Sequence, residues 1–396
     1  MARKLKIGFV FPGHVRRIAP QIGFCHAMHL FRQQVSDFPK PEIYCGVSGG
    51  GISSAIAVQD SEAHFVKGEL LYSKVTRSSI AGINPDLLIR GGAAAILSLA
   101  PLLPLEMIKS RKIRYLVRVL LASSELYADE AFVDKLLKCN SIFSADKRLR
   151  RLFNNLDFDA IFNSDIKLQI AAANISTNEY SVVTNYKPEH RNKDLFIEGL
   201  IDTTRLPVFF GFRKNRDGHY VGDGAGIANM PLDLVVNHGC DVVVILGFTY
   251  PKESLAKEYN MWIAGLQRFI DMITDTVARK DLEGFERINN ALTQVEGIQK
   301  ELVALDTIAC EAGLLNRGLA SELSGSISRI EEYISRFSCI GKKKVKIISV
   351  DSVEPIDDYH FTTLTPEKAF KGYNQGCNAF TDSFLPQYLD FIKTAD

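Results

Sequence analysis

The sequence predicts an α/β fold with a mostly parallel central sheet sandwiched by helices in three layers, and a helical insertion. Three observations carry that expectation. Two short β-branched runs, Leu5 to Phe11 and Ile43 to Cys45, each lead through a glycine turn into a helix-period stretch, the pattern of parallel strand–helix units. A third run, Asp241 to Phe248 (DVVVILGF), is apolar enough for a buried strand. Between it and a last strand at Val345 to Val350, the chain from 252 to 340 has almost no β signal and reads as helix.

The size fits this architecture. At 396 residues with 46% hydrophobic content, the chain can bury one large core or two smaller ones, and it shows no repeat or low-complexity tract. With 47 basic against 46 acidic residues, the near-neutral charge argues against a general nucleic-acid binder. The local clusters Lys147 to Arg151 and Lys342 to Lys344 read as solvated faces. Cys25, Cys45, Cys139, Cys240, Cys310, Cys339 and Cys377 are scattered without CxxC spacing, which fits reduced thiols and neither a disulfide framework nor a metal site. No metal and no cofactor is expected. The apolar run Ile7 to Pro12 is too short for the core of a signal peptide, so the expected location is cytoplasmic.

In chain order, Leu5 to Phe11 is a buried strand ended by Pro12-Gly13. The following helix, about Val15 to Val35, gathers Ile18, Ile22, Cys25, Ala27, Met28 and Phe31 on one face. Pro39 and Pro41 precede the second strand. From Ser123 to Leu156 the pattern is helical and amphipathic; Leu168 to Asn174 and Glu179 to Asn185 then read as a hairpin. A short strand leads into Gly222-Asp223-Gly224. In the insertion, one helical face runs from Leu255 to Ile273, a second from Phe285 to Val295 and a third from Leu319 to Ile334. No linker composition divides the chain, so a single α/β domain over 1–396 containing the insertion is expected.

The most informative stretch is Ile43-Tyr44-Cys45-Gly46-Val47-Ser48-Gly49-Gly50-Gly51, a strand, a sharp turn with a serine at its apex, and a helix start. Small residues at Gly46 and Gly50 let such an elbow push the Ser48 hydroxyl out of the sheet edge. The same pattern also suits a plain connecting turn or a phosphate cradle. In a parallel sheet, both strand-to-helix turns face one crevice at the carboxyl edge. The first turn, Gly13, His14 and Val15, is therefore placed to offer backbone N–H groups to an oxyanion. The alternative there is an ordinary tight turn with Arg16 and Arg17 as surface charges. A distant candidate acid, Asp223, sits between glycines, where a carboxylate can approach other groups closely; alone it reads equally as a turn aspartate.

Arg90 to Met107 (RGGAAAILSLAPLLPLEM) is nearly uncharged but broken by Pro101 and Pro104, and it falls short of the ~20 residues a membrane-crossing helix needs. Two readings stand for it: a buried core segment, or an apolar wall for a greasy substrate that also touches a membrane surface. The adjacent Lys109, Arg111, Lys112 and Arg114 favour the second.

Taken together, these motifs resemble the patatin-like phospholipases, a family of serine–aspartate lipid acyl hydrolases. Ser48 in Gly46-Val47-Ser48-Gly49-Gly50 matches the family's nucleophile in G-x-S-x-G, and Asp223 in Asp223-Gly224-Ala225 matches the dyad aspartate in D-G-G/A. Asn229 and Pro231 match the N-x-P that follows, Pro207 the proline that precedes, Ala171 to Val183 the middle segment, and Phe361 to Gly376, with Gly372-Tyr373, the closing helix. Where the family has a glycine run followed by x-R-G, this chain has Gly13-His14-Val15-Arg16-Arg17-Ile18, so Gly13 and Arg17 alone match. An oxyanion fits there when the side chains of His14 and Val15 point away.

The resemblance implies a lipid acyl hydrolase of phospholipase A type, with Ser48 and Asp223 catalytic, an acyl-enzyme intermediate, and Gly13, His14, Val15 and Arg17 at the oxyanion turn. Its partner is a lipid or other acyl ester, with peripheral membrane contact left open and no reading of oligomeric state. Two alternatives remain: a soluble esterase or thioesterase with the same dyad, and a lipid-binding pseudoenzyme with a weakened oxyanion turn. A Ser–His–Asp triad would need His238 or His360, which follow Asp223 but lie in no catalytic-looking turn.

Overall fold

Four consecutive neighbours in one sheet set the geometry of this protein: β9 (Val242–Ile245), β1 (Ile7–Phe11), β2 (Ile43–Val47) and β5 (Lys167–Asn174), all parallel. The computed structural model describes residues 5–73, 82–83, 143–144, 146–206, 210–248, 262–313, 317–335, 344–352 and 365–395. The strands β1, β2 and β9 are buried at every position. This is why they read as continuous apolar runs and not as alternating ones, since helices cover both faces of a parallel sheet.

The full sheet has eight strands in the order β10–β9–β1–β2–β5–β8–β7, where β10 is Lys346–Ser349, β8 is Tyr220–Gly222 and β7 is Arg213–Lys214. The eighth, β6 (Glu179–Thr184), pairs antiparallel with β5 as the expected hairpin. β8 also pairs antiparallel with the far end of β5, from Ala173 to Gly222 and from Asn174 to Val221. The sheet is mixed, mostly parallel and flanked by helices: an α/β fold, as the sequence predicts.

Three helices follow the first two strands: α1 (Ile18–Gln34), α2 (Gly49–Ala57) and α3 (Glu62–Ser73). The helix expected from residue 15 begins instead as one 3-10 turn at Val15–Arg17. The His14 ring accepts the Arg16 N–H there (3.2 Å), and the α-helical hydrogen bonds start only afterwards. Residues 143–144, expected in helix, form a short strand β4 (Phe143–Ser144) paired antiparallel with β3 (Gly82–Ile83). Helix resumes as α4 (Asp146–Phe153) and α5 (Phe158–Phe162), followed by α6 (Lys193–Thr203) and α7 (Leu232–Val236).

The core is aromatic. Phe24 on α1 meets Phe380 and Phe384 edge-on at 5.5 Å, and Phe9 meets Tyr44 at 5.6 Å. Each such pair adds roughly 0.5–1.5 kcal/mol beyond the area it buries. Helix α10 (Pro366–Ala379), which contains Gly372-Tyr373, crosses α1 closely enough that Gly23 faces the Tyr373 backbone and Gly376 faces Pro20, with no room for a side chain at either glycine. A π-helical turn at Phe380–Phe384 then leads into α11 (Leu385–Ala395).

The described residues divide into two compact units, Met1–Val277 with Ile347–Asp396, and Ala278–Lys346. Of the face expected at 255–273, residues 255–261 lie outside the described residues; 262–273 and the stretch 285–295 fall on one 52-residue helix, α8 (Trp262–Gly313), and the stretch 319–334 falls on α9 (Arg317–Ser335). The smaller unit has its own core of Leu292, Val295, Leu302 and Ile327, and the Asn289 carboxamide exchanges two hydrogen bonds with the Val345 backbone. The apolar stretch 90–107, Pro207 and His360 lie outside the described residues.

Candidate active site

Strand β2 ends at Val47, and the next residue turns back into the left-handed region: Ser48 has φ 51° and ψ −127°. A residue with a side chain adopts such a φ only where its surroundings enforce it. Here they do. A Cβ on Gly50 would run into the Phe11 carbonyl oxygen of β1, and one on Gly46 into the Gly50 carbonyl, so the elbow can be this tight only with glycine at both places. Ser48 is half-buried at the N-terminus of α2, beyond the carboxyl ends of β1 and β2.

Asp223 arrives from the antiparallel side. It follows β8, whose pairing with the end of β5 carries the Gly222–Gly224 loop to the same edge of the sheet. The Ser48 hydroxyl donates to Asp223 Oδ2 at 2.8 Å. The other carboxylate oxygen accepts the Ala225 N–H at 2.9 Å, and the Asp223 N–H donates to the Arg205 carbonyl at 3.0 Å. Asp223 is 4% exposed, and burial pushes its carboxyl up to about 6, against the smaller opposing pull of the Ala225 N–H and the Ser48 hydroxyl. Gly224 sits against the Ala171 carbonyl, so the acid loop, like the elbow, relies on a missing side chain.

The first turn lies alongside. The Gly13 N–H donates to Asn229 Oδ1 at 2.8 Å, which ties this turn to the loop after Asp223. The Gly13 carbonyl accepts from Arg17 Nη1 at 2.9 Å. Arg17 is 1% exposed, which rules out the reading of it as a surface charge. A Cβ on Gly13 would stand 2.6 Å from Ser48 Cβ, so a side chain there would press on Ser48. The His14 ring folds back onto its own turn as the cap on Arg16, and the Val15 carbonyl accepts from the Tyr72 hydroxyl at 2.5 Å.

His238 lies elsewhere. It precedes β9, and its Nε2 is 2.9 Å from Nε2 of Gln169, the β5 partner of Cys45, and 3.2 Å from the Tyr186 hydroxyl. Among the described residues no group of His, Cys, Asp and Glu could hold a metal ion, and no described helix is long and apolar enough to cross a membrane. In the cluster from Lys147 to Arg151, Arg150 pairs with Asp194 at 3.0 Å.

Two groups at the site were not singled out by the sequence. The Ser48 N–H donates to Thr203 Oγ1 at 2.8 Å, and Arg205 supplies the carbonyl that receives the Asp223 N–H. Neither carries a sequence signal of its own, because Asp202-Thr203-Thr204-Arg205 ends a helix that already holds Lys193, Asp194 and Glu198.

Fold and site together define an α/β protein with a serine elbow hydrogen-bonded to a buried aspartate at the carboxyl edge of a mostly parallel sheet. No family model and no curated protein sequence matches this chain. Among solved structures it aligns with VipD from Legionella pneumophila at 13% identity and a TM-score of 0.34, over 96% of this chain and 68% of that one. It also aligns with the type III effector protein ExoU at 12% identity and a TM-score of 0.25, over 85% and 70%. At such scores the likeness carries no functional argument, and the site must be read from its own geometry.

Proposed function

We propose that this protein is a serine hydrolase of acyl esters, with Ser48 as nucleophile, Asp223 as its base and lipids as the substrate class. The observation that carries the reading is the 2.8 Å hydrogen bond from Ser48 Oγ to Asp223 Oδ2, made from an elbow at φ 51°. A serine hydroxyl becomes a useful nucleophile when a base within hydrogen-bond reach takes its proton as it attacks. A carboxyl pushed up to about 6 is a stronger base than an ordinary aspartate and is still ionised at neutral pH.

In the proposed reaction, Ser48 Oγ bonds to the ester carbonyl carbon while its proton passes to Asp223. The tetrahedral oxyanion is held by the Gly49 N–H, which opens α2 next to Ser48, and by the turn amides of His14 and Val15. Gly13 enters as the position without a side chain, and Arg17 braces its carbonyl from behind. Collapse breaks the carbon–oxygen bond to the alcohol, which leaves with the proton from Asp223. Water then gives a proton to Asp223 and attacks the acyl carbon. The ester to Ser48 breaks, the carboxylic acid leaves, and the proton returns to Ser48 Oγ.

The motif resemblance to patatin-like phospholipases supports a lipid as the acyl donor, as does the apolar composition of residues 90–107. On the same reading the chain is one catalytic domain carrying a helical insertion at 252–340. The test is a fluorophosphonate probe with peptide mapping, beside hydrolysis of fatty-acyl esters. Labelling of Ser48, and loss of both labelling and hydrolysis in a folded Ser48→Ala variant, is the expected result. Full hydrolysis by that variant would end the proposal.

A further inference from the structure

One short segment touches both members of the Ser48–Asp223 pair. Thr203 is the last residue of α6, fully buried. A threonine hydroxyl can donate one hydrogen bond and accept two. Here it donates to the Ala171 carbonyl at 2.5 Å and accepts the Ser48 N–H at 2.8 Å. Ala171 is the β5 partner of Val47, the residue just before the elbow. The hydroxyl therefore bridges the neighbouring strand to the nucleophile's own backbone at the point where that backbone leaves the favoured region. Two residues later, the Arg205 carbonyl accepts the Asp223 N–H at 3.0 Å.

The segment is itself anchored against movement. Arg205 Nη2 lies 2.6 Å from both Asp146 oxygens, Arg205 Nη1 donates to the Gly211 carbonyl at 2.6 Å, and Asp202 receives a two-pronged contact from Arg213 at 2.9 and 2.7 Å. Such double contacts fix orientation as well as distance. The Thr203 methyl has a different task, packing against Gly51. Hydroxyl and methyl can therefore be tested apart.

We infer that Thr203 is a positioning residue, whose hydroxyl holds the Ser48 backbone in the elbow conformation and so sets the distance from Ser48 Oγ to Asp223; the inference rests on the reading of Ser48 as nucleophile. Its function is geometric. The hydroxyl reaches no substrate and moves no proton in the reaction.

The experiment compares Thr203→Val, which keeps the methyl and removes the hydroxyl, with Thr203→Ser, which does the reverse. Active sites are titrated with a fluorophosphonate, and kcat and KM on a fatty-acyl p-nitrophenyl ester are expressed per titrated site. Thr203→Val is expected to lose on the order of 10²-fold in kcat with KM little changed, as for a misplacement of about 1 Å, and Thr203→Ser to retain most of it. Equal kcat in Thr203→Val and wild type, or equal losses in both variants, overturns the inference. Thr203→Ala, which also lacks the hydroxyl, stands in if Thr203→Val does not fold. If neither hydroxyl-free variant folds while Thr203→Ser does, the residue serves stability and the inference falls. Ser48→Ala in the same series separates the two claims, because its retention of hydrolysis would remove the nucleophile itself whatever Thr203 does.

Discussion

Replacing Asp223 with asparagine should make the protein more stable while making it inactive, and the size of the gain follows from the burial of the carboxyl. Its pKa is raised from an ordinary 3.8 to about 6, chiefly by desolvation. A folded-state pKa above the unfolded one means that ionisation works against folding. The raised carboxyl favours the folded state fully below about pH 3.8, where it is neutral in both states; this advantage is lost as pH rises through about 6. A displacement of about two units, at about 1.4 kcal/mol each, corresponds to about 3 kcal/mol at neutral pH. Asparagine carries no charge to desolvate. Its oxygen still accepts the Ala225 N–H, and one of its two amide N–H groups can donate to the Ser48 hydroxyl.

Asp223→Asn is therefore expected to exceed wild type by up to about 3 kcal/mol at pH 7.5, with the difference shrinking toward zero near pH 4. Hydrolysis should fall by roughly 10³-fold or more. Urea unfolding of both proteins across that pH range, beside ester hydrolysis, measures both quantities. A variant that is less stable than wild type at pH 7.5, or a difference that does not change with pH, would refute the reasoning.

The wild-type rate should carry the same titration: kcat/KM on a soluble ester is expected to rise tenfold per unit below about pH 6 and to level off above it, because the base must be ionised. A profile flat from pH 5 to 8 would point to a different base. His238→Gln should retain most activity, since its partners are Gln169 and Tyr186 and not Ser48 or Asp223; a loss of roughly 10³-fold in a folded variant would install a histidine in the mechanism. Hydrolysis should climb from short to long acyl chains, at roughly 0.8 kcal/mol per methylene buried, and Leu99→Asp or Leu103→Asp should depress the long-chain reaction far more than the short. Equal losses on every ester would return that stretch to the core.

Much of the fold was legible because its signals are local. Runs such as Ile7 to Phe11 and Val242 to Ile245 announce buried strands by composition, and the glycines around Ser48 and Asp223 announce tight turns. What the sequence does not display is partnership across the chain. Nothing in β5 itself tells that it pairs with three strands, or that two residues at 143–144 would meet Gly82-Ile83. Thr203 was opaque for the same reason: at a buried helix end, threonine is ordinary, and its meaning appears only when Ser48, 155 residues away, arrives beside it. Asn229 was visible as part of a motif, but its bond to Gly13 spans 216 positions and needs the whole sheet. Arg17 beside Arg16 looked like a charged surface pair; the buried guanidinium has a backbone carbonyl to bind, which residue type alone does not reveal.

The separation of Ser48 from Asp223 also bears on how the chain folds. Their hydrogen bond closes a loop of 175 residues, β1 joins β9 across more than 200, and α10 meets α1 through contacts such as Cys377 to Gly23, 354 residues apart. Closing loops of that length is entropically uphill before any contact repays it, so topologies of this kind fold slowly and late. Strands β1 and β2 lie near each other in sequence and can pair early, which leaves the elbow half-built and Ser48 without Asp223. The acid reaches Ser48 only once β5 and β8 have paired. The Ser48–Asp223 pair is thus expected among the last contacts the chain makes, and an incompletely folded chain leaves Ser48 without its aspartate.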